Sequence, residues 1–452
     1  MNRFKKYMAL LLALVFSASV VVISHAQADG SYVSDSYISA QHEMFAEMMG
    51  EEFATNYFRA LEHQEKFYDS LPRNRMGDIM HPNNFGGTYI DDYGNLVVLV
   101  VGSSYERGNA EFIQTHVEDG VLVREVAFAY NELWEMFHYL RDFIMSNRYN
   151  PGVDGFTRIA IDIINNNVAI YFSELCDETI ALFRHHVSDS PMIIFGQRNA
   201  READFRDAVQ VLDDVPYVEE IDIYGVCFET LHNDIYGIER SNLLNIRPGD
   251  CFFDHNRVRR GSIGYRAIAY QPGIGHVIGF MIAAHSGPGR NVQVGDTIHN
   301  SSGQIIGFVL GHNRDIVDAA FVRLHSQAYV QNTSHHGWIN PRVYPNIGAG
   351  TRVITDTTLN GRTGRMGAIT QWISEPDHFW FWIEGWEHSA PTRNGDSGGM
   401  VYTITGNGSG IVGLNVSGWS RSPHQDDTGI LTLASWHTLL IRQFPGNYPR
   451  PR

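Results

Sequence analysis

A serine enclosed by glycines carries the strongest chemical signal in this sequence. The segment Gly395-Asp396-Ser397-Gly398-Gly399 is typical of a tight turn that exposes the Ser397 hydroxyl. On such a turn the backbone N–H groups of Gly395 and Ser397 are the natural donors to an oxyanion that develops beside the hydroxyl. A serine hydroxyl is a weak nucleophile unless a base lies within hydrogen-bond reach and a third group orients that base. The segment therefore requires a histidine and an acid elsewhere in the chain.

Candidates for both residues stand beside apolar segments. His285 follows the apolar run 279–284, which ends in small residues that let a neighbouring segment approach the imidazole. Asp318 begins the apolar run 318–322, so its carboxylate can be buried, accept the imidazole N–H and select one tautomer. Asp315 competes with Asp318 but fits the start of that run less well. The order His285, Asp318, Ser397 predicts a catalytic triad for acyl transfer, with Gly395 and Ser397 as the oxyanion hole.

The Gly-x-Ser-x-Gly segment is also found around the nucleophilic serine of α/β-hydrolases, which are an alternative to the triad order given above. In α/β-hydrolases the triad follows the order serine, acid, histidine, and a helix comes after the serine. Only 55 residues follow Ser397, and residues 400–416 have the pattern of a hairpin. Asp427 and His437 complete that order nominally, but the remaining chain is too short for the rest of that fold. The sequence therefore favours the order histidine, aspartate, serine.

The elements that must position these residues divide the chain into two parts. Before about residue 235, helical and hairpin patterns alternate, which predicts an α+β region. We expect helices at Ser36–Leu71, Val126–Asn147, Glu178–His186 and Ala200–Leu212, hairpins at Thr88–Val101 and Arg158–Phe172, and a strand at Tyr217–Tyr224.

From about residue 245 helical periodicity fades and short β-rich runs recur between turn residues. Many short strands at regular spacing predict an all-β barrel or sandwich pair. The runs are Gly261–Tyr270, His276–Ala284, Ile305–Leu310, Ala319–Leu324, Gly367–Ile373, Phe379–Ile383, Met400–Ile404 and Gly410–Val416, and only Ala434–Arg442 has a helical pattern.

The distribution of charge also separates the two parts. The chain of 452 residues has a formal net charge of −16. From Asn245 onward there are 17 basic and 13 acidic residues, a net charge of +4, whereas the preceding part has 17 basic and 37 acidic residues, a net charge of −20. Opposite net charges suit two domains that dock on each other. The arginines of the second part are scattered rather than clustered, which argues against a nucleic-acid partner.

The N-terminus predicts export. Residues Met1–Lys6 are basic, Tyr7–Ile23 are almost entirely apolar, and small residues follow at Ser24–Ala28. That order is typical of a secretory signal peptide, here residues 1–28, so we expect a secreted protein without membrane attachment once the peptide is removed. A membrane anchor is the alternative, because the apolar run approaches the ~18 residues of a spanning helix.

The cysteines and acidic residues indicate no bound group. Cys176, Cys227 and Cys251 are few for an exported protein, and their spacing does not resemble a zinc site. No segment has the spacing of an EF-hand. The sequence therefore predicts neither a metal nor an organic cofactor, and stability that comes mainly from packing.

Residues 245–452 resemble the bacterial chymotrypsin-like serine proteases of the streptogrisin and α-lytic group. The matching pieces are Ala284-His285, the pattern Asp318-x-Ala320-x-Val322, Gly395–Gly399, Ser417-Gly418 and, as a first strand, Arg260–Tyr265. Phe85–Val101 and Arg158–Phe172 resemble, more weakly, pieces of the pro-regions of that group.

The resemblance implies both a fold and a pathway of maturation from a precursor. The fold is an all-β, chymotrypsin-like double antiparallel barrel, here residues 241–452, with the active site in the cleft between the barrels. An acidic α+β pro-region, here residues 29–240, precedes it, assists its folding, blocks the cleft and is removed by self-cleavage. The implied partners are polypeptide substrates and the chain's own pro-region, and we expect the enzyme to be a monomer.

The resemblance also assigns residues around the triad. The segment Asn415–Ser420 is expected to line one wall of the S1 pocket and to pair with an extended substrate, and its substrate-binding residues are Val416, Ser417, Gly418 and Trp419. No acidic residue stands out at the pocket floor, so a P1 side chain of medium size and apolar character is expected. Arg362 either pairs with Asp396, beside the nucleophile, or is a solvated loop residue. A disulfide usual in the group is replaced here by Ser286 and Gly261.

Two functions of other classes remain open on the sequence. One is a secreted binding protein that keeps the protease fold without catalysis, against which the intact set His285, Asp318 and Ser397 argues. The other is an uncleaved adhesin or inhibitor in which the acidic half is the functional part.

Overall fold

The computed structural model describes residues 35–75, 78–103, 106–198, 223–224, 243–271, 275–287, 291–313, 318–331, 333–334, 337–338, 340–344, 347–357, 365–376, 382–392, 395–406, 408–418 and 427–433. Outside these ranges lie the predicted signal peptide, the predicted helices Ala200–Leu212 and Ala434–Arg442, Arg362 and Trp419. Among the described helices, none has both the length and the hydropathy needed to cross a membrane.

The α-helices of the described chain all lie in its N-terminal half. They are α1 (Asp35–Met49), α2 (Glu51–Ser70), α3 (Arg107–His116), α4 (Tyr130–Ser146) and α5 (Asp177–His186). The single helix predicted at Ser36–Leu71 is instead two helices, because Gly50 has a φ of 91°, a conformation that L-residues avoid and glycine adopts freely. The helix predicted from Val126 begins at Tyr130, since residues 122–126 form a strand.

The N-terminal half also contains two sheet segments. They are built from β1 (Phe85–Ile90), β2 (Leu96–Val101), β3 (Leu122–Val126), β4 (Phe156–Asp162), β5 (Asn167–Phe172) and β6 (Ile193–Gln197). Both predicted hairpins are confirmed as β1–β2 and β4–β5. The first turns at Gly94 (φ 83°) and the second at Asn166 (φ 53°), residue types that tolerate the left-handed region.

The remaining strands belong almost entirely to the C-terminal half. They are β7 (Ile223–Tyr224), β8 (Leu244–Ile246), β9 (Cys251–Phe253), β10 (Arg259–Ser262), β11 (Arg266–Gln271), β12 (Gly275–Ala283), β13 (Thr297–His299), β14 (Ile305–Asn313), β15 (Ala319–Leu324), β16 (Ala328–Val330), β17 (Thr333–Ser334), β18 (Gly337–Trp338), β19 (Asn340–Val343), β20 (Arg352–Asp356), β21 (Arg365–Pro376), β22 (Trp382–Thr392), β23 (Met400–Thr405), β24 (Gly408–Gly418) and β25 (Asp427–Leu433). The run Gly261–Tyr270, predicted as one strand, is divided between β10 and β11.

Two large sheets organise these strands. The first has the order β10-β9-β13-β14-β15-β12-β11-β7, and its core includes Phe280, Ile282 and Val322. The second has the order β20-β23-β24-β25-β22-β21, with β19 beside β24. The predicted fold class, an all-β double antiparallel barrel preceded by an α+β region, is confirmed.

The second sheet continues into the N-terminal half. Strand β21 pairs antiparallel with β4, so that Trp372, Ile373 and Ser374 face Ile161, Ala160 and Ile159. Strands β5 and β6 extend the same sheet. The two halves of the chain therefore share one sheet.

Candidate active site

The first sheet brings His285 beside Asp318. Strands β12 and β15 are antiparallel neighbours, with Ala283 opposite Ala319. His285 follows the end of β12 in a short 3₁₀ turn, and Asp318 directly precedes β15. Because the end of one strand meets the start of the other, two residues 33 positions apart in sequence become adjacent.

Both oxygens of the Asp318 carboxylate contact His285. Oδ2 lies 2.7 Å from the imidazole Nδ1, and Oδ1 accepts a hydrogen bond of 3.0 Å from the His285 backbone N–H. An ionised carboxylate only accepts hydrogen bonds, so Nδ1 donates and Nε2 is left as an acceptor. Asp318 is completely buried, whereas the imidazole is 29% exposed. The histidine is thus oriented from the protein side and accessible on its other side.

The backbone of Asp318 is held in an uncommon conformation. Its φ is 50°, in the left-handed region. Such a conformation costs of order 1–3 kcal/mol for a residue other than glycine and persists where the surrounding structure imposes it. In this case the carboxylate's two bonds to His285 and the start of β15 hold it in place.

The nucleophile turn, residues 395–399, is fixed to strand β10. Ser262 N–H donates to the Ser397 carbonyl at 2.8 Å, and the Ser262 hydroxyl donates to the Gly395 carbonyl at 2.9 Å. Gly395 and Gly398 have φ values of 92° and 89°. A Cβ atom on Gly398 would lie 2.3 Å from the Ser262 carbonyl oxygen, so this close approach requires glycine.

Strand β10 also connects the nucleophile turn to the histidine. A Cβ atom placed on Gly261 would lie 2.7 Å from the Ser397 carbonyl oxygen and 3.1 Å from the Ser286 hydroxyl oxygen. Ser286 is the residue after His285, so the chain segments that carry the histidine and the serine meet at Gly261. The structure therefore places the pair His285 and Asp318, from the first sheet, near the turn that carries Ser397.

The two N–H groups expected to bind an oxyanion are available. Within the ranges that the structure describes, neither the Gly395 N–H nor the Ser397 N–H donates a hydrogen bond. In the same turn the carbonyls of Gly395 and Ser397 accept from Ser262 of β10, and the Gly398 N–H and the Gly399 carbonyl pair with Asn415 of β24. This arrangement leaves two adjacent donors for a negatively charged oxygen.

Two buried residues complete the site: His388, which the sequence analysis did not select, and Asn415, which it placed only in the segment expected to line the S1 pocket. Asn415 on β24 donates from its backbone N–H to the Gly399 carbonyl at 2.8 Å and accepts from the Gly398 N–H at 2.6 Å. Its side-chain Nδ2 donates to the Asp396 carbonyl at 3.3 Å. Its Oδ1 lies 3.3 Å from Nε2 of His388, on β22. A polar amide inside the apolar run that precedes Ser417-Gly418 was the available signal.

The other predicted site residues are placed as follows. Val416 and Asp396 are buried. Ser417 and Gly418 end β24 and lie opposite Ile430 and Gly429 of β25.

Comparisons with known proteins concern both halves of the chain. The models of the Pro-like N-terminal domain and the Pro-like C-terminal domain match residues 46–118 and 131–198. Among solved structures, a chymotrypsin of Cellulomonas bogoriensis is 19% identical, with 45% of this chain and 97% of that chain covered and a TM-score of 0.34. The α-lytic protease homolog N4 is 15% identical, with 45% and 98% covered and a TM-score of 0.34. No curated protein matches the chain.

Both family matches lie in the part that the sequence analysis interprets as a pro-region. The matched residues contain α2, α3, α5, nearly all of α4, only the end of α1, and the hairpins β1–β2 and β4–β5. The resemblance to the precursor of a chymotrypsin-like serine protease is thereby confirmed, and a protease precursor is the class that the fold and the matches support.

Proposed function

We propose that the chain is the precursor of a secreted serine endopeptidase that removes its own pro-region. Residues 1–28 are the signal peptide, residues 29–240 the pro-region and residues 241–452 the protease domain. The observation that carries the proposal is the bond between buried Asp318 and His285, beside a glycine-bounded turn that presents Ser397.

The proposed reaction is acyl transfer in two halves. Nε2 of His285 takes the proton of the Ser397 hydroxyl as its oxygen attacks the scissile carbonyl, and Asp318 stabilises the imidazolium that forms. The N–H groups of Gly395 and Ser397 bind the oxyanion. His285 then gives its proton to the leaving amine, and a water molecule repeats the sequence on the acyl-enzyme.

Substrate recognition is assigned to the end of β24. Val416, Ser417, Gly418 and Trp419 form one wall of the S1 pocket, and a P1 residue of medium size and apolar character is preferred. Arg362 supports the site by pairing with Asp396, so that activation does not depend on a newly released N-terminal amine.

The pro-region acts on its own protease domain as folding aid and inhibitor, and the product is a monomer. The contacts that support this role are extensive. Strand β4 adds to β21, and Tyr57 Oη on α2 lies 3.2 Å from the Thr403 hydroxyl on β23. Both contacts join residues on opposite sides of the proposed cleavage region near residue 240.

The experiment that tests the proposal compares the precursor with its Ser397→Ala variant. We expect the wild type to shorten to about 200 residues, as a domain of that size implies, and to digest casein, while Ser397→Ala stays full length and inactive. Ser301→Ala, in an exposed turn between β13 and β14, is the matched control and should behave as the wild type. A folded wild type that stays full length and inert would contradict the proposal and favour a non-catalytic binding protein with the same fold.

A further inference from the structure

Asn415 contacts the nucleophile turn through its backbone and its side chain. It is buried, and three of its hydrogen bonds reach Asp396, Gly398 and Gly399, which lie on both sides of Ser397. A residue that served only to continue strand β24 would need the backbone bonds alone. The amide side chain must therefore be explained separately.

The bond from the Asn415 amide helps to fix the direction in which the Ser397 N–H points. The Asp396 carbonyl accepts from Asn415 Nδ2 at 3.3 Å and from the Gly399 N–H at 3.0 Å. This carbonyl and the Ser397 N–H belong to the same peptide unit. In a planar trans peptide the C=O and the N–H point in opposite directions. Holding the carbonyl against Asn415 thus directs the Ser397 N–H away from Asn415 and leaves it available as a donor.

His388 sets the orientation of that amide. Its Nε2 lies 3.3 Å from Asn415 Oδ1, and an amide oxygen only accepts, so Nε2 carries a hydrogen. With Oδ1 turned to His388, Nδ2 is turned to Asp396. His388 is completely buried, and burial lowers its pKa to about 4, so the ring is neutral at ordinary pH.

We propose that Asn415 is a positioning residue for the oxyanion hole and that His388 holds the Asn415 amide in its working orientation. The inference rests on the proposed function, because it concerns the donors that bind the oxyanion. Neither side chain touches the reacting atoms. Both act through the peptide unit between Asp396 and Ser397.

The test measures peptide hydrolysis by three variants of the full chain after self-cleavage. Asn415→Leu keeps the approximate size of the side chain and removes both of its hydrogen bonds, and His388→Leu removes the donor to Oδ1. His388→Gln keeps an N–H donor and is the conservative control. We expect Asn415→Leu to lower kcat by about ten- to hundredfold with KM changed less than about twofold, because a misdirected donor weakens binding of the transition state and not of the substrate. His388→Leu should lower kcat by about tenfold, less than the loss of a whole donor, and His388→Gln should restore most of it.

The outcomes separate this inference from the proposed function. An active wild type with an unchanged kcat in Asn415→Leu would overturn the inference alone. An inert but folded wild type would overturn the proposed function and the inference with it. If Asn415→Leu does not fold, the two variants of His388 are compared instead. A lower kcat in His388→Leu than in His388→Gln, at similar Tm, supports the inference, and an equal kcat in the two variants overturns it. A KM increase with kcat unchanged would also overturn it, since it would indicate a role in substrate binding.

Discussion

Replacing Arg158 with methionine is expected to weaken the junction between β4 and β21. Arg158 is completely buried there between two glutamates of the C-terminal half. Its Nε lies 2.7 Å from Glu375 Oε2, and its Nη1 lies 2.5 Å from Glu387 Oε1. Methionine has a similar length and no charge. The variant would therefore leave two carboxylates in a buried site without their main partner.

Two independent estimates give the size of the effect. Removing one partner of a buried ion pair typically costs about 3–5 kcal/mol, because the remaining charge stays desolvated. Burial alone acts to raise the pKa of Glu387, but Arg158 and Arg198 hold it at about 2, against an ordinary value of 4.5. That difference corresponds to about 3 kcal/mol. Since Arg198 remains in the variant, 3.1 Å from Glu387, the lower end of the range, about 3 kcal/mol, is expected.

The assay is urea unfolding of the uncut precursor, kept intact by Ser397→Ala. Arg141→Met is the comparison variant: Arg141 lies 2.8 Å from the buried carboxylate of Glu384 but is itself 21% exposed and pairs with one buried glutamate where Arg158 pairs with two, so its loss should cost less than that of Arg158. Replacing Glu375 and Glu387 with glutamine in the Arg158→Met background should recover part of the stability, because the two buried carboxylates are then neutral. Equal effects of Arg158→Met and Arg141→Met would refute the reasoning.

The ion pair between Arg158 and Glu387 also predicts how the free energy of unfolding changes with pH. The folded-state pKa of Glu387 lies below its ordinary value, so its ion pair contributes stability above about pH 4.5 that is lost as pH falls toward 2. Unfolding measured across that window should show a smaller pH dependence in Arg158→Met than in the parent. An identical pH dependence in both proteins would contradict the assignment of the low pKa to Arg158.

Three further predictions follow from single contacts. Asp318→Asn should lower kcat for peptide hydrolysis by about 10⁴-fold, because an amide no longer selects the tautomer in which Nε2 accepts; unchanged kinetics would exclude the triad. Gly261→Cys with Ser286→Cys should form a disulfide, detected by thiol titration. Closing the loop should contribute ~3 kcal/mol of stability, but the new Cβ at position 261 would lie 2.7 Å from the Ser397 carbonyl oxygen. The Tm of the oxidised protein should therefore be only modestly higher than that of its reduced form. Gly350→Ala should destabilise the precursor by at least about 2 kcal/mol in urea unfolding, because its φ is 82° and its Cβ would lie 1.8 Å from the Ile90 carbonyl oxygen; an unaffected midpoint would contradict that contact.

The parts of the fold and site that could be predicted from sequence depend on local patterns. The hairpin β4–β5 follows from its turn residues, and the expectation of a buried acid at Asp318 follows from its place before an apolar strand. The pairing of His285 with Asp318 could be anticipated from the order of segments. The structure adds the distance that joins them.

The parts that could not be predicted depend on contacts distant in sequence. Nothing local to His388 or Asn415 indicates that they meet, because they lie on strands separated in the sheet by β25. The break at Gly50 was missed because the apolar pattern continues through it. Strands of three residues, such as Thr297–His299, are too short to show a period of two.

At the buried junction, the charged side chains of each half have the opposite sign to the net charge of that half. The acidic N-terminal half supplies arginines at the junction, Arg141, Arg158 and Arg198, and the basic C-terminal half supplies Glu375, Glu384 and Glu387. Net charge therefore favours encounter of the halves, whereas the buried pairs select how they meet. A slip of β4 by one residue would turn Arg158 to the other face of the sheet and leave Glu375 and Glu387 unpaired in the interior. Because only one register satisfies these carboxylates, the ion pairs specify the alignment of β4 on β21 even if hydrophobic contacts supply most of the binding energy.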